Sequence, residues 1–373
     1  MRNFKKPEYI LFLASLTLIL LGVLILANVS AVYSMEKFGE PNYLLKHQIL
    51  YGLLPGLALG IAGFLVPLEL IKKYAFWLFF TNLLFLGLLA VSKIGLNFFG
   101  ASRWINLGPI VFQPSEFLKL SLIVYLGAWL ANQDFSSKSA LKKRFFARFK
   151  PLVPFLMIVG IIAVLLALQP NIGTLGIILL IASVMFFLSG TPFWQNLSIW
   201  ASGIAMLGLL IKIAPYRLNR WLVFINPDLD PMGRGYQLKQ SLISIGSGGI
   251  LGLGLGMSRQ KFGFLPQTIG DAIFPVFAEE TGFIGGIILV GLFLIFLWQG
   301  FKIARLSRDR FSQLLGIGIS FWIGFQALIN ICSMTGLFPL TGVPLPFISY
   351  GGSHLVSELA GLGILLNISK TVI

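Results

Sequence analysis

The sequence predicts an all-α polytopic membrane protein with about ten transmembrane helices, and three observations support that fold class. Of the 373 residues, 57% are hydrophobic and 11% are charged, whereas roughly 25% of residues are charged in soluble domains. The mean hydropathy is +0.88, which is typical of chains that cross a bilayer many times. Several charge-free windows also reach the length of about 20 apolar residues that a spanning helix needs.

The charge-free windows set the predicted helices in chain order. The first window, residues 9–35, is too long for a signal-peptide core and is interpreted as a retained helix. The longest window, residues 151–211, holds three helices with turns near 169–171 and 190–192. The predicted helices are 9–33, 46–66, 74–92, 114–133, 152–168, 173–190, 195–213, 276–300, 311–335 and 346–369.

The distribution of lysine and arginine predicts the orientation of these helices. With the N-terminus inside, more than half of the 28 basic residues fall in cytoplasmic loops, including the clusters at 138–150 and 302–310. The even helix count then places both termini in the cytoplasm. Residues 1–373 form a single integral membrane domain with a large extracytoplasmic loop at about 214–275. Cytoplasmic anchoring explains most of the net charge of +15, so we expect no nucleic-acid partner.

The large loop holds basic residues on the side where the orientation rule predicts few of them. Arg217 and Arg220 lie three residues apart, on one face of a short helix that ends towards residues 226–228. An anionic partner such as a phosphate would explain them, and so would lipid headgroups. The glycine run at 246–256 lacks the dinucleotide and P-loop patterns, so it indicates close backbone approach or helix packing through small residues.

Asp271 is the one acid between Asp230 and Glu279, at the outer mouth of the predicted eighth helix. One interpretation is a helix N-cap. Another is a general base, because desolvation at a membrane interface raises the pKa of a carboxylate. Glu280 follows where the next apolar run begins.

Residues 100–120 read GASRWINLGPIVFQPSEFLKL and place charges at or just inside the membrane. Glu116 and Lys119 lie three residues apart on a predicted helix, where they can pair, and intramembrane charges are expensive and usually functional. Just outside, Arg103 precedes Trp104, which fits either an interfacial aromatic belt or a site.

Two further polar segments interrupt the apolar sequence. Residues 169–174, QPNIGT, contain Asn171 and predict either a re-entrant turn or a tight outside hairpin. Residues 338–353, FPLTGVPLPFISYGGS, contain Ser349 and form a stiff, irregular entry to the last helix. Glu358 beyond them is another charge inside a span.

These segments together resemble the SEDS family of shape, elongation, division and sporulation proteins, and the FtsW branch in particular. The resemblance covers about residues 100–355 in the family's order. It rests on the blocks quoted above and on GRGYQ at 233–237, SRQKFGFLP at 258–266 and AEETGFIG at 278–285.

The resemblance implies a bacterial peptidoglycan glycosyltransferase of the cytoplasmic membrane that polymerises lipid II on the outer face beside a class B penicillin-binding protein. Other division or elongation proteins are implied partners. The family's key aspartate falls on Asp271, the predicted catalytic base. The predicted substrate-binding residues are Arg103, Trp104, Glu116, Lys119, Asn171, Arg217, Arg220, Glu280 and Ser349.

The sequence departs from the family's pattern around the predicted base. Gln267, Ile269 and Gly270 stand where the family has Glu, His and Thr or Asn, and Asn171 replaces an aspartate. Without the family's carboxylates and histidine, these positions are not expected to relay protons or bind a metal ion. The candidate base, Asp271, is itself retained. The cofactor is not identified, although a divalent cation fits a pyrophosphate substrate. A lipid II transporter and a non-enzymatic scaffold of a division complex are the alternative functions.

Overall fold

The computed structural model describes residues 8–91, 96–98, 101–108, 110–133, 151–213 and 216–371. The chain is mainly helical, as predicted. The basic cluster at 138–150 and the N-terminal basic residues, which were used to predict the orientation, lie outside the described residues.

Each predicted helix has an observed counterpart among the described residues; the helix at 152–168 has the predicted bounds, and the others differ at one or both ends. The helices are α1 Tyr9–Phe38, α2 Tyr43–Gln48, α3 Leu54–Leu65, α4 Leu68–Val91, α5 Pro114–Ala131, α6 Leu152–Leu168, α7 Ile172–Leu188, α8 Phe193–Ile213, α9 Tyr216–Ile225, α10 Arg234–Ser247, α11 Ile273–Leu306, α12 Arg310–Met334 and α13 Gly352–Ser369. A π-helical turn at Ile49–Leu53 joins α2 to α3. These two helices make up the predicted second span.

The helix ends follow from local chemistry. Gly39 ends α1 in the left-handed region, with φ 71°, and its N–H bonds to the carbonyl oxygen of Met35. Asp309 caps α12 by accepting a hydrogen bond from the Ser312 N–H at 2.9 Å. The last helix begins at Gly352 rather than at residue 346, because Phe347 and Gly351 have φ values of 63° and 154°, outside the right-handed helical region.

Two structures in the connecting loops differ from the sequence predictions. Residues 93–113 were predicted as a loop, and their described part forms a small antiparallel sheet of β1 Leu96–Phe98, β2 Ala101–Leu107 and β3 Ile110–Phe112. In the large loop, α10 was not predicted. Its apolar periodicity is weak because Gly235, Ser241 and Ser244 occupy three of its four buried positions.

In the described part of the chain, five helical segments are long and apolar enough to cross a membrane: Tyr9–Phe38, Tyr43–Leu65, Leu68–Leu89, Ile273–Leu306 and Arg310–Met334. The count of ten spans stays a prediction. The ends predicted to be cytoplasmic do meet in the structure. Lys302 Nζ lies 3.2 Å from Glu8 Oε1, and the Glu8 N–H donates to Ser369 Oγ at 3.4 Å.

Small residues set the closest helix contact in the bundle. Helices α3 and α13 pack through Gly60 and Gly363, and a Cβ added at Gly363 would lie 1.9 Å from the Gly60 carbonyl oxygen. Such close approach is typical of helix pairs in membranes, where van der Waals packing replaces the hydrophobic driving force. It fixes α13, and therefore the loop that leads into α13, against the bundle.

Candidate active site

Asp271 lies at the end of the segment that connects α10 to α11, residues 248–272, which we name the glycine loop. Helix α11 begins at Ile273 with Ala272 at its N-cap, so Asp271 lies one residue before the cap position. The N-cap interpretation of Asp271 is therefore wrong. The Asp271 side chain is half-buried.

Hydrogen bonds from two other elements fix the backbone around Asp271. Asn330 Nδ2, on α12, donates to the carbonyl oxygens of Asp271 and Val343, both at 2.8 Å. Ser349 Oγ donates to the carbonyl oxygen of Gly270 at 2.7 Å. Val343 and Ser349 belong to residues 335–351, between α12 and α13, which we name the proline loop. The proline loop and α12 together set the position of Asp271.

The surroundings of Asp271 suit a group that exchanges protons near neutral pH. Desolvation by burial raises the pKa of Asp271 to about 6, against the opposing effects of the backbone N–H groups of Asp271 and Ala272, the Gln237 side chain and the charge of Arg220. Exposed Gly342, in the proline loop, faces the carboxylate: a Cβ built there would lie 3.7 Å from Asp271 Oδ2. Glycine at this position keeps one side of the carboxylate open.

Helix α9 brings arginine towards the same carboxylate. Arg220 and Arg234 line a small cleft, together with apolar side chains of α9, α10 and the proline loop. The charge of Arg220 acts on Asp271. Arg217 lies on the same helix, and its side chain is outside the described residues, so the shared arginine face stays a prediction.

Arg103 lies on β2 and holds the turn between α6 and α7. Its Nε and Nη2 atoms donate to the carbonyl oxygens of Gln169 and Pro170 at 3.0 and 2.5 Å. Asn171, in the same turn, donates to Ser115 Oγ at 3.2 Å and is buried. Only three residues separate the two helices. Residues 169–174 therefore form a tight hairpin, as one of the two predictions had it, and not a re-entrant turn.

The proline loop lies between this turn and Asp271. A Cβ added at Gly173 would lie 2.5 Å from the carbonyl oxygen of Thr341, the residue before Gly342. Segments that were predicted to face one compartment therefore meet at one end of the bundle. Trp104, next to Arg103, is half-buried and pairs with Leu96 across the sheet.

Glu116 and Lys119 form the predicted ion pair, with Nζ 2.8 Å from Glu116 Oε2. Lys119 is 1% exposed. Its ammonium group also donates to Gln326 Oε1 at 2.8 Å and lies 5.1 Å from the ring centroid of Trp322. The pair thus lies inside the bundle, below the surface where a substrate would bind.

Gln326 extends this pair to the proline loop. Its Nε2 atom donates to the carbonyl oxygen of Pro344 at 3.0 Å and lies 3.5 Å from Glu358 Oε1. Glu358 accepts a hydrogen bond from the Phe347 N–H at 2.8 Å. The intramembrane charge of Glu358 is therefore used to hold the proline loop, where Phe347 has a φ of 63°.

Asn330 and Gln326 were not among the predicted site residues. Both are fully buried amides on α12, four residues apart on one helical face. Their signal in the sequence is a polar pair within an apolar span, which is costly unless each amide finds partners.

Glu280 was predicted to bind substrate, and the structure buries it within the protein. Asn28 of α1 donates a short hydrogen bond to Glu280, and Lys261 Nζ lies 3.3 Å from Glu280 Oε1. Lys261 also donates to Asn28 Oδ1 at 2.7 Å. Glu280 thus ties α1 and the glycine loop to α11, and its contact with substrate stays a prediction.

Glu279 fixes the same loop from the neighbouring position. Its carboxylate accepts hydrogen bonds from Ser258 Oγ at 2.5 Å, the Arg259 N–H at 3.1 Å and Ser244 Oγ at 3.2 Å. Beside it, a Cβ at Gly252 would lie 2.2 Å from the Glu280 carbonyl oxygen. The glycine run is therefore used for close backbone approach, one of the two predicted uses.

A divalent cation was left open as a cofactor. Within the described ranges, no group of three or more His, Cys, Asp or Glu side chains is placed to hold a metal ion. Gln267 and Gly270, near Asp271, offer no carboxylate or imidazole. The residues described around Asp271 thus do not form a metal-binding set, and we derive no step through a metal ion.

Known proteins similar to this chain share nearly its whole length. It is 38% identical over 361 residues to a probable peptidoglycan glycosyltransferase FtsW of Coxiella burnetii, covering 96% of this chain and 94% of that protein. It is 34% identical over 371 residues to stage V sporulation protein E of Bacillus subtilis, covering 98% and 97%.

Solved structures agree in fold. A chain from a peptidoglycan synthase complex, described as coordinating polymerization and crosslinking, aligns with a TM-score of 0.77 and 29% identity over 97% of both chains. The rod shape determining protein RodA of Thermus thermophilus aligns with a TM-score of 0.68 and 27% identity over 98% of both chains.

The family model of the FtsW, RodA and SpoVE cell cycle proteins matches residues 8–372. With its apolar helices, this match makes the protein a multi-pass protein of the bacterial inner membrane. The chain belongs to the FtsW/RodA/SpoVE family of cell cycle proteins.

Proposed function

We propose that the protein is a peptidoglycan glycosyltransferase that polymerises lipid II at the outer face of the cytoplasmic membrane, during cell division or elongation. The observation that carries the proposal is the environment of Asp271. Asn330 and Ser349 hold the backbone at Asp271 and Gly270. The Asp271 carboxylate is open on the side of Gly342 and has a pKa of about 6. The names of the similar proteins support the same activity.

In the proposed reaction, a sugar hydroxyl attacks the anomeric carbon of a second lipid-linked saccharide. Asp271 accepts the hydroxyl proton as the new C–O bond forms. The bond between the anomeric carbon and the lipid pyrophosphate breaks, and its electron pair leaves with the pyrophosphate. A base with a pKa near 6 is largely ionised at neutral pH, which suits this role.

Cationic side chains would stabilise the departing pyrophosphate. Arg220 acts on Asp271 electrostatically, and Arg217 lies on the same helix. Arg103 approaches from the opposite side of the proline loop. Preorganised cations of this kind stabilise charge that develops in the transition state. Lys119 is buried, so we assign it a positioning role. It holds Gln326, and Gln326 in turn holds the proline loop at Pro344.

The test is polymerisation of purified lipid II by Asp271→Asn protein, followed on a gel. We expect loss of glycan strands with binding of lipid II retained. Asp228→Asn is the matched control, because Asp228 is an exposed acid in the same large loop, ion-paired with Lys239. If Asp271→Asn polymerises lipid II at the wild-type rate, the base assignment is wrong.

A class B penicillin-binding protein is the proposed partner, together with other membrane proteins of division or elongation. The similarity to a chain of a peptidoglycan synthase complex supports the assignment. Adding the purified penicillin-binding protein to the lipid II assay should raise the polymerisation rate. An unchanged rate, with no association of the two proteins on gel filtration, would reject the partnership.

The transporter alternative requires a polar route through the bilayer. Glu358, a carboxyl group within a span that could have lined such a route, accepts hydrogen bonds from Phe347 and Gln326 inside the bundle. Lys119 is likewise paired with Glu116. Because these buried groups bond to one another and to the proline loop, they do not line a polar route through the bilayer. The contacts therefore support chemistry at one face of the membrane over transport.

A further inference from the structure

Aromatic rings line the outer end of the bundle beside the proline loop. They belong to α1, to α2 with its π-helical turn, and to the end of the proline loop. We name this set the aromatic cluster; its members are Tyr33, Phe38, Tyr43, His47, Tyr51 and Tyr350.

Five rings of the aromatic cluster, those of Phe38, Tyr43, His47, Tyr51 and Tyr350, form a continuous series. Phe38 and Tyr43 stack with centroids 4.1 Å apart, and Tyr43 and His47 follow at 6.4 Å. His47 lies 4.8 Å from Tyr51 and 6.0 Å from Tyr350. Three of these residues recur every four positions along one helical face, which is the spacing that keeps side chains adjacent.

Polar groups converge at the same rings. Lys37 Nζ donates to Tyr33 Oη at 2.9 Å and lies 5.3 Å from the centroid of that ring. Tyr350 Oη lies 3.0 Å from His47 Nδ1. Burial raises the pKa of Tyr350 to about 12, and the nearby phenols of Tyr43 and Tyr33 act in the same direction. The Tyr350 hydroxyl group therefore stays protonated beside the His47 imidazole.

The aromatic cluster is joined directly to the segment that carries Asp271. The Tyr350 N–H donates to the carbonyl oxygen of Ile269 at 2.8 Å, two residues before Asp271. The Gly351 N–H donates to Gln48 Oε1 at 3.0 Å, which holds α2 against the proline loop. The π-helical turn at Ile49–Leu53 contains Tyr51, and π-bulges occur frequently at functional sites.

We propose that the aromatic cluster is a saccharide-binding subsite that holds a pyranose ring of the glycan strand beside Asp271. The negative face of an aromatic ring attracts the partly positive C–H groups on one face of a pyranose. Hydroxyl, imidazole and ammonium groups around the rings provide hydrogen bonds for sugar hydroxyls. This inference rests on the proposed function and assigns the strand a path over α1 and α2.

The exposure of the outer rings fits an open subsite. Tyr33, Phe38 and Tyr43 are 39%, 43% and 40% exposed, while His47 and Tyr350 are half-buried. An aromatic belt at the lipid headgroups is the competing explanation for exposed tyrosines. Rings that only anchor the protein in lipid would affect stability in a bilayer and leave sugar binding unchanged.

The first experiment measures sugar binding without catalysis. Saturation-transfer NMR with a soluble tetramer of N-acetylglucosamine is recorded on the purified full chain, on Tyr43→Ala and on Tyr74→Ala. Tyr74 is an exposed tyrosine on α4, and no aromatic-cluster contact is seen for it among the described residues. We expect binding to weaken about tenfold in Tyr43→Ala, the upper range for one aromatic contact, and to be unchanged in Tyr74→Ala.

The second experiment measures the length of the glycan strands made from lipid II. Tyr43→Ala and Phe38→Ala should give strands several-fold shorter than the wild type, because a weakly held strand dissociates sooner. Tyr43→Phe keeps the ring and should restore most of the length. The melting temperature of each variant is also measured. Strand lengths are compared only for variants that melt at the wild-type temperature, so that unfolding does not explain a shorter strand.

The outcomes separate this inference from the proposed function. Sugar binding that is equal in Tyr43→Ala and Tyr74→Ala overturns the subsite. Strand lengths equal to the wild type in both aromatic variants also overturn it, whereas polymerisation itself would stand. Absence of any polymerisation by the wild type with its partner would reject the proposed function, and the NMR comparison would still decide whether the aromatic cluster binds sugar.

Discussion

Asn330 and Asp271 are joined by a hydrogen bond from the buried amide of α12 to the backbone carbonyl of the carboxylate residue, at 2.8 Å. The same amide group holds Val343 of the proline loop at 2.8 Å. One side chain thus fixes two loops that meet at the candidate base. Its removal would leave the Asp271 side chain intact while freeing its backbone.

Asn330→Ala should therefore lower the polymerisation rate strongly, by a factor on the order of 10–100, because misplacement of a base by about 1 Å is costly. Asn367→Ala is the matched control, since Asn367 Nδ2 also donates to two carbonyl oxygens, those of Gly63 and Val66. Both variants should lose similar stability in thermal melts. Equal activity of the two would show that Asn330 does not position the site.

The pH dependence of polymerisation should report Asp271. Its pKa of about 6 places the loss of the ionised base just below neutral pH. We expect the rate to fall about tenfold per pH unit below pH 6. The measurement is initial rate against pH at fixed lipid II. A rate that is flat down to pH 5 would contradict the assignment of this carboxylate as the base.

Asp271→Asn should be at least as stable as the wild type at pH 7. The folded-state pKa of Asp271, about 6, lies above its ordinary value of 3.8, so the folded protein holds the proton more tightly than the unfolded chain. The wild type therefore loses stability as the pH rises from about 4 to about 6, and the asparagine variant does not. Thermal melts at pH 7 and 4.5 should show the variant's advantage shrinking at the lower pH.

Breaking the buried pair of Glu116 and Lys119 should be costly. Lys119→Met leaves a carboxylate without its partner inside the bundle and should destabilise the protein by about 3–5 kcal/mol. Lys119→Met combined with Glu116→Gln should recover most of that loss. The exposed pair of Lys46 and Glu40 is the control, for which we expect about 1 kcal/mol or less. Chemical or thermal unfolding in detergent measures both pairs.

Gly282→Ala should disrupt the contact between α11 and the glycine loop. Gly282 has a φ of 66°, and a Cβ there would lie 2.3 Å from the Gly252 nitrogen. We expect a loss of at least about 2 kcal/mol from backbone strain and a fall in activity. Gly291→Ala on the same helix is the control, because no described atom lies within 4 Å of its added Cβ. Equal stability of the two variants would exclude strain at Gly282.

Local sequence determined the helical framework and the candidate residues. Apolar length fixed where helices form, since every backbone amide in the bilayer needs a partner within its own segment. The i, i+3 spacing of Glu116 and Lys119 determined their pairing, which the structure confirms. The wrong N-cap interpretation of Asp271 differs from the observed helix start by a single residue, the usual size of error for a helix boundary.

Tertiary structure alone decided what each polar side chain does. Glu280, Lys119 and Ser349 carry the same chemistry whether they face a substrate or the interior, and distant partners such as Asn28 and Gln326 turn them inward. These partners lie too far apart along the chain for any local sequence pattern to predict their contact. The position of Asp271 likewise depends on Asn330 and the proline loop, because only packing of α12 and α13 brings those residues to the end of the glycine loop.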